Sequence, residues 1–153
     1  DPQSAFPFAE LQAYGRAELD FCGSRITLCK MSAEELKLAR KPEKEGGEED
    51  SAAGGSEQWE TERKIRLYFD WELLKQRRGL VFRFRHPGDR IRLRGMTGRK
   101  KLQDFFVDRK IPRHLRDEIL LLADGEEILS AGREVSAECC EKPDSISIVS
   151  IEY

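Results

Sequence analysis

Histidine and spaced cysteine are scarce in this chain, and each shortage removes a class of chemistry. There are two histidines, His86 and His114, and four cysteines, Cys22, Cys29, Cys139 and Cys140. No two cysteines have the C-x-x-C spacing, so a metal site is not expected. The thiols read as reduced cysteines of a cytosolic protein, with Cys22 and Cys29 in strands. A bond between the adjacent Cys139 and Cys140 would be strained and is not expected. There is no G-x-x-x-x-G-K-S/T phosphate loop and no G-x-S-x-G nucleophile elbow. The acids outside the basic segment are scattered, so no constellation able to do chemistry is visible. No apolar run approaches 18 residues, so no hydrophobic transmembrane helix is expected. The chain begins Asp1-Pro2-Gln3-Ser4 without Met, as expected of a piece of a longer protein.

Charge is what the chain has in quantity. Charged residues make up 37% and hydrophobic ones 39% of 153 residues, and the net charge is only −2. That near-balance hides an asymmetry. From Lys75 to Arg116 there are fifteen lysines and arginines against Asp89, Asp104 and Asp108, a net of +12. The rest of the chain therefore carries −14. Local field, more than total charge, attracts a polyanion, so the distribution points to nucleic acid although the pI is about 5.9.

Residues 41–58, KPEKEGGEEDSAAGGSEQ, contain no Val, Ile, Leu, Phe, Tyr or Met. Such a stretch cannot bury enough apolar surface to offset its ordering entropy, and it reads as an acidic flexible linker over 41–60. The alternative is an acidic arm that covers the basic surface. The expected organisation is a hairpin-containing N-terminal part (5–40) that packs on the main domain, the linker (41–60), and a C-terminal domain (61–153).

Ala17–Phe21 and Arg25–Lys30 read as strands joined by a Cys22-Gly23-Ser24 turn. Ser32 with Glu35 three residues on is a capping-box helix start. Strands are expected at Lys64–Trp71, Leu80–Arg85, Arg90–Arg94, Ile119–Ala123, Glu127–Leu129 and Ser145–Glu152. A short helix is expected from Arg99 to Asp108, stopped by Ile111-Pro112. The class is α+β, with antiparallel or mixed sheets in a sandwich-like arrangement and short helices.

The segment VFRFRHPGDRIRLR carries the sharpest expectation. If Arg85 pairs with Arg90 across the His86-Pro87-Gly88-Asp89 turn, then Phe84 faces Ile91, Arg83 faces Arg92 and Phe82 faces Leu93. One face of the hairpin would be apolar and the other arginine. Facing like charges are destabilising unless an anion lies between them, and the guanidinium fork suits phosphate. The alternative is a solvated face paired with acids from elsewhere in the chain. Arg99, Lys100 and Lys101 fall in the first turn of the expected helix, where the macrodipole opposes cations, so that helix start reads as a phosphate site. Lys110, Arg113 and Arg116 extend the stripe. His86 is a candidate base contact and His114 a surface residue. Asp104 and Asp108 are expected to pair with Arg109 or Lys110, or to be solvated.

These residues also carry a family resemblance. The run Arg83-Phe84-Arg85-x-Pro87-Gly88-Asp89-Arg90 is followed by Gly95-x-x-Gly98-x-Lys100-Lys101-Leu102-x-Asp104-Phe105-Phe106. Then come Lys110-Ile111-Pro112-Arg113-x-x-Arg116-Asp117, Leu121-Leu122-Ala123-Asp124 and Gly132-x-x-x-x-Ser136. Together they resemble the C-terminal, substrate-binding region of tRNA(Ile)-lysidine synthase. The resemblance implies a cytoplasmic parent ligase that joins lysine to C2 of the wobble cytidine in CAU-anticodon tRNA(Ile). ATP and Mg would be used in an N-terminal PP-loop domain with an S-G-G-x-D-S signature, which does not occur here. No cofactor is expected in this part. The resemblance further implies a tRNA-binding module shared with the phenylalanyl-tRNA synthetase β chain, acting on the acceptor-stem side. The expected partners are this tRNA and the parent's catalytic domain, with no membrane. A docking or homodimerisation module without RNA contact is the competing reading.

Overall fold

The computed structural model describes residues 1–40 and 64–153. The expected linker over 41–60 lies outside the described residues. Two β-sheets pack on each other, and a short helix covers the far side of one of them. The smaller sheet has the order β2-β3-β11-β4 and is antiparallel throughout. Its strands are β2 (Arg16–Phe21), β3 (Ser24–Ser32), β11 (Ser147–Glu152) and β4 (Arg66–Asp70). The larger sheet runs β1-β5-β8-β9-β6-β7, with β10 also paired to β9. Here β1 is Gln3–Ala5, β5 Leu80–Arg83, β8 Leu121–Asp124, β9 Glu127–Ala131, β6 Arg90–Ile91, β7 Lys100–Lys101 and β10 Glu134–Val135. The sheet is mixed because β6 pairs with β9 in parallel. The helices are α1 (Phe8–Tyr14), α2 (Ala33–Ala39), α3 (Trp71–Lys75), α4 (Leu102–Asp108) and α5 (Arg113–Arg116). The class is therefore α+β, with short helices.

Alternation along the strands builds two cores. Phe21, Ile26, Leu28, Phe69, Val149 and Ile151 of the smaller sheet meet Leu80, Phe82, Leu122 and Leu129 of the larger one. On the other side of the larger sheet, Ile91, Leu121, Ala123, Ile128 and Ala131 are capped by Leu102, Phe105 and Phe106 of α4 and by Ile111. Successive strand residues face opposite ways, so Leu121 and Ala123 serve one core and Leu122 the other. Both faces of β8 are covered, which explains its uninterrupted apolar run.

Residues 1–40 contribute to both sheets: β1 pairs with β5, and β2–β3 form half of the smaller sheet. The hairpin and the capping box form where the sequence indicates them. The Ser32 hydroxyl accepts from the Glu35 N–H (3.1 Å) while the Glu35 carboxylate accepts from the Ser32 N–H (2.8 Å). Cys22, expected in a strand, instead sits in the two-residue turn with φ 51°, followed by Gly23 at φ 88°. Trp71 is not the end of a strand either. Asp70 Oδ1 accepts from the Leu73 N–H (3.2 Å) and starts α3 there. Among the described residues no helix is long and apolar enough to cross a membrane.

The hairpin turn generates a prediction. Two positive φ values define a turn that favours Asn-Gly, and Cys22 bears the strain of the left-handed region on an exposed side chain. Cys22→Asn is expected to stabilise the protein by about 1 kcal/mol, read as a higher urea midpoint at unchanged m-value.

Candidate nucleic-acid interface

On β5, Leu80, Phe82 and the following Phe84 pack into the core between the sheets, which turns Arg83 to the opposite face. Arg83 is only 3% exposed there, and so is Asp89. A buried guanidinium needs a full set of partners. Arg83 donates Nη1 to Asp89 Oδ2 (3.1 Å) and to the Phe84 carbonyl (2.8 Å), and Nη2 to Asp89 Oδ1 (2.9 Å) and to the Gly125 carbonyl (2.7 Å). Asp89 also accepts from the His86 N–H (2.8 Å), and its carbonyl receives the Leu102 N–H (2.9 Å). The Arg83–Asp89 pair thus fixes the 84–89 loop, the β8–β9 turn and the start of α4 together. Gly88 takes φ 94° at the tip of that loop.

This overturns the expected arginine hairpin. β5 pairs with β1 and β8, β6 pairs with β7 and β9, and β8 and β9 lie between β5 and β6. Phe82 and Phe84 enter one core, whereas Ile91 and Leu93 enter the other. The two segments therefore have no common apolar face, and no like-charge ladder forms. The expected helix start is also displaced. Arg99 precedes β7, Lys100 and Lys101 form β7, and α4 begins only at Leu102 with Asp104 in its first turn. Arg99 and Lys100 stand ahead of the helix, and only Lys101, at its N-cap, remains against the dipole.

Several of the expected phosphate contacts are occupied by acids. Arg77, which the sequence pattern does not single out, donates to Asp124 (3.2 Å), Glu127 (2.6 Å) and Glu138 (2.9 Å). Arg99 joins Glu127 and Glu138 at 2.9 Å each, and Arg92 lies 3.6 Å from Glu138. Lys100 pairs with Asp108, and Arg109 with Glu134 (3.0 Å) rather than with Asp104 or Asp108. Hydrogen bonds from Arg77 lower the Glu127 pKa to about 2 against the opposing effect of burial, with Glu138 and Arg99 adding to the depression. The same contacts hold the Arg77 guanidinium above its ordinary range.

What remains is a concave basic pocket of about 600 Å³. Its walls come from Arg85–Arg90, Lys101–Gln103, Arg113 and Arg116–Asp117. Six of the sequence-predicted residues line it: Arg85, His86, Arg90, Lys101, Arg113 and Arg116. Arg83, Arg92, Arg99, Lys100 and Lys110 do not. Arg85 Nε donates to Asp117 Oδ1 (2.7 Å), and its guanidinium lies 5.9 Å from the Phe106 ring centroid. Arg116 Nε donates to the Ile111 carbonyl (2.9 Å). His86 lies 2.5 Å from the Asp1 carboxylate. Arg90, Lys101 and Arg113 are exposed and have no acid partner among the described residues. Of the acids in the wall, Asp89 is used by Arg83 and Asp117 by Arg85. Gln103 was not singled out from the sequence, and Asp117 only as part of the resemblance, since neither belongs to a cationic pattern.

Two stability predictions follow from these ion pairs. Arg83→Ala leaves Asp89 buried and unpaired and is expected to cost about 3–5 kcal/mol, measured by urea unfolding. The folded-state pKa of Glu127 lies below its unfolded value of 4.5, so the folded state binds fewer protons. Its contribution is full above about pH 4.5 and is lost as pH falls toward 2. Melting temperature should therefore drop over that window, and Glu127→Gln should flatten the drop.

Known proteins resemble this chain over the segment that builds the pocket. The family model described as the TilS substrate C-terminal domain matches residues 80–149. A tRNA(Ile)-lysidine synthase of Caldanaerobacter subterraneus is 39% identical over 87 residues, 56% of this chain and 18% of that protein. One of Clostridium tetani is 48% identical over 61 residues, 40% of this chain and 13% of that protein. The chain thus spans less than a fifth of the length of these relatives. A crystal structure of a TilS C-terminal domain superposes with a TM-score of 0.51 at 24% identity, over 89% of this chain and 88% of that one, which bears on the fold alone. The matched segment, residues 80–149, contains every residue that lines the basic pocket and is similar to the C-terminal region of tRNA(Ile)-lysidine synthases.

Proposed function

We propose that this chain is the tRNA-binding part of a tRNA(Ile)-lysidine synthase and that the basic pocket is where it grips RNA phosphates. The observation that carries the reading is the convergence of Arg85, Arg90, Lys101, Arg113 and Arg116 on one concavity whose two acids are already engaged. All of them but Arg85 lack an acid partner among the described residues, and a cluster of unneutralised cations costs folding free energy unless an anion compensates it. The parent would be a cytoplasmic ligase that joins lysine to C2 of the wobble cytidine of CAU-anticodon tRNA(Ile). ATP and Mg would be used in its catalytic domain, which would be the second partner of this chain. Phosphate contacts position an RNA without reading its sequence, so the role assigned here is to hold the substrate for chemistry performed elsewhere.

The test is tRNA(Ile) binding across a salt series. The wild-type chain is expected to show a steep log–log slope, and Arg90→Ala, Lys101→Ala and Arg113→Ala should each reduce it by about 1. Arg99→Ala and Lys100→Ala should leave the slope nearly unchanged, because their charges are met by Glu127, Glu138 and Asp108. A wild-type slope near zero would refute the reading. Binding that is salt-insensitive while the chain self-associates through this face would favour a dimerisation module.

A further inference from the structure

We infer that the pocket takes a terminal phosphate monoester, the 5′ end of the bound RNA, in preference to an internal phosphodiester; this rests on the RNA-binding reading above.

Three observations carry it. First, two arginines are pinned through Nε, Arg85 by Asp117 and Arg116 by the Ile111 carbonyl. Each bond fixes the plane of a guanidinium and leaves its terminal nitrogens without a hydrogen-bond partner among the described residues. A pinned fork of this kind donates two parallel bonds to phosphate oxygens. Second, Arg90, Lys101 and Arg113 add three cations with no acid partner among the described residues. With Asp117 offsetting Arg85, four positive charges remain, which still exceed what one diester can use, since it carries a single charge and two free oxygens. A monoester carries about −1.5 to −2 at neutral pH and presents three acceptor oxygens.

Third, the walls come from three separate segments, so donors approach from several sides. A chain end has only one strand to lead away, whereas an internal phosphate needs two exits. Most of the nearby cations are unavailable to prolong the pocket into a track for a continuous backbone, Arg94 and Lys110 being exposed outside its lining. Lys100 is tied to Asp108, Arg99 to Glu127 and Glu138, and Arg83 to Asp89.

The experiment compares three forms of CAU-anticodon tRNA(Ile) on the full chain. One carries a 5′-monophosphate, one has been treated with phosphatase, and one carries two extra 5′ nucleotides that turn the monoester into a diester. The first should bind about tenfold more tightly than either of the others, a difference of about 1.4 kcal/mol. Arg113→Ala, an exposed change whose folding is checked by thermal melt, should narrow that ratio to threefold or less. Equal binding of the three RNAs by the wild-type chain would overturn the inference and leave the RNA-binding reading standing. An unchanged tenfold ratio in Arg113→Ala would also overturn it, by placing the sensing of the end elsewhere. Absence of salt-sensitive binding by all three would remove both.

Discussion

The buried pair of Arg83 and Asp89 is the interaction on which the rest of this structure depends. Strand alternation forces Arg83 inward once Phe82 and Phe84 are committed to the core between the sheets. A charge so placed is tolerated only with a paired, hydrogen-bonded partner. Asp89 supplies it from six residues on, and the chain between them must therefore loop out and return. That loop is the rim of the basic pocket. The same carboxylate takes the His86 N–H, and the Asp89 carbonyl takes the first N–H of α4. One ion pair thus sets the distance between the arginines of the loop and those that follow the helix.

The distribution of acids decides which cations can act. The Lys75–Arg116 segment carries +12 on paper. Folding brings Asp124, Glu127 and Glu134 of the later strands, and Glu138 beyond β10, against Arg77, Arg92, Arg99 and Arg109. These contacts knit the β8–β9 turn and the segment after β10 to the arginine-rich part. The positive charge that remains is concentrated in the pocket, with Arg78, Arg94 and Lys110 exposed outside its lining. The broad basic surface suggested by composition becomes a compact site with a scaffold of neutralised arginines beside it.

Local patterns in the sequence were legible and long-range pairings were not. The β2–β3 hairpin, the Ser32–Glu35 box and the alternating β4 and β11 each declare themselves within a few residues. The register of the arginine segment does not, because whether β5 meets β6 or β8 depends on partners some forty residues away. Lys101 precedes α4 without a side-chain cap, so nothing local marked that helix as starting at Leu102. In the opposite direction, Asp70 was a readable cap for α3, masked by the strand-like run before it. For the site, Arg85, His86, Arg90, Lys101, Arg113 and Arg116 were found by charge and by resemblance. Arg83 and Arg99 were drawn in by the same charge but serve the scaffold. Their acids, Asp89 excepted, lie too far along the chain for any spacing rule to connect.

The central claim is that the pocket arginines meet RNA while the paired arginines do not. The most direct measurement is NMR of the arginine side-chain Nε–H signals during titration with tRNA(Ile). The account predicts shifts or broadening at Arg85, Arg90, Arg113 and Arg116, with Arg77, Arg83 and Arg99 unmoved. Perturbation centred on Arg77 and Arg99, or none at the pocket arginines on saturation, would contradict it.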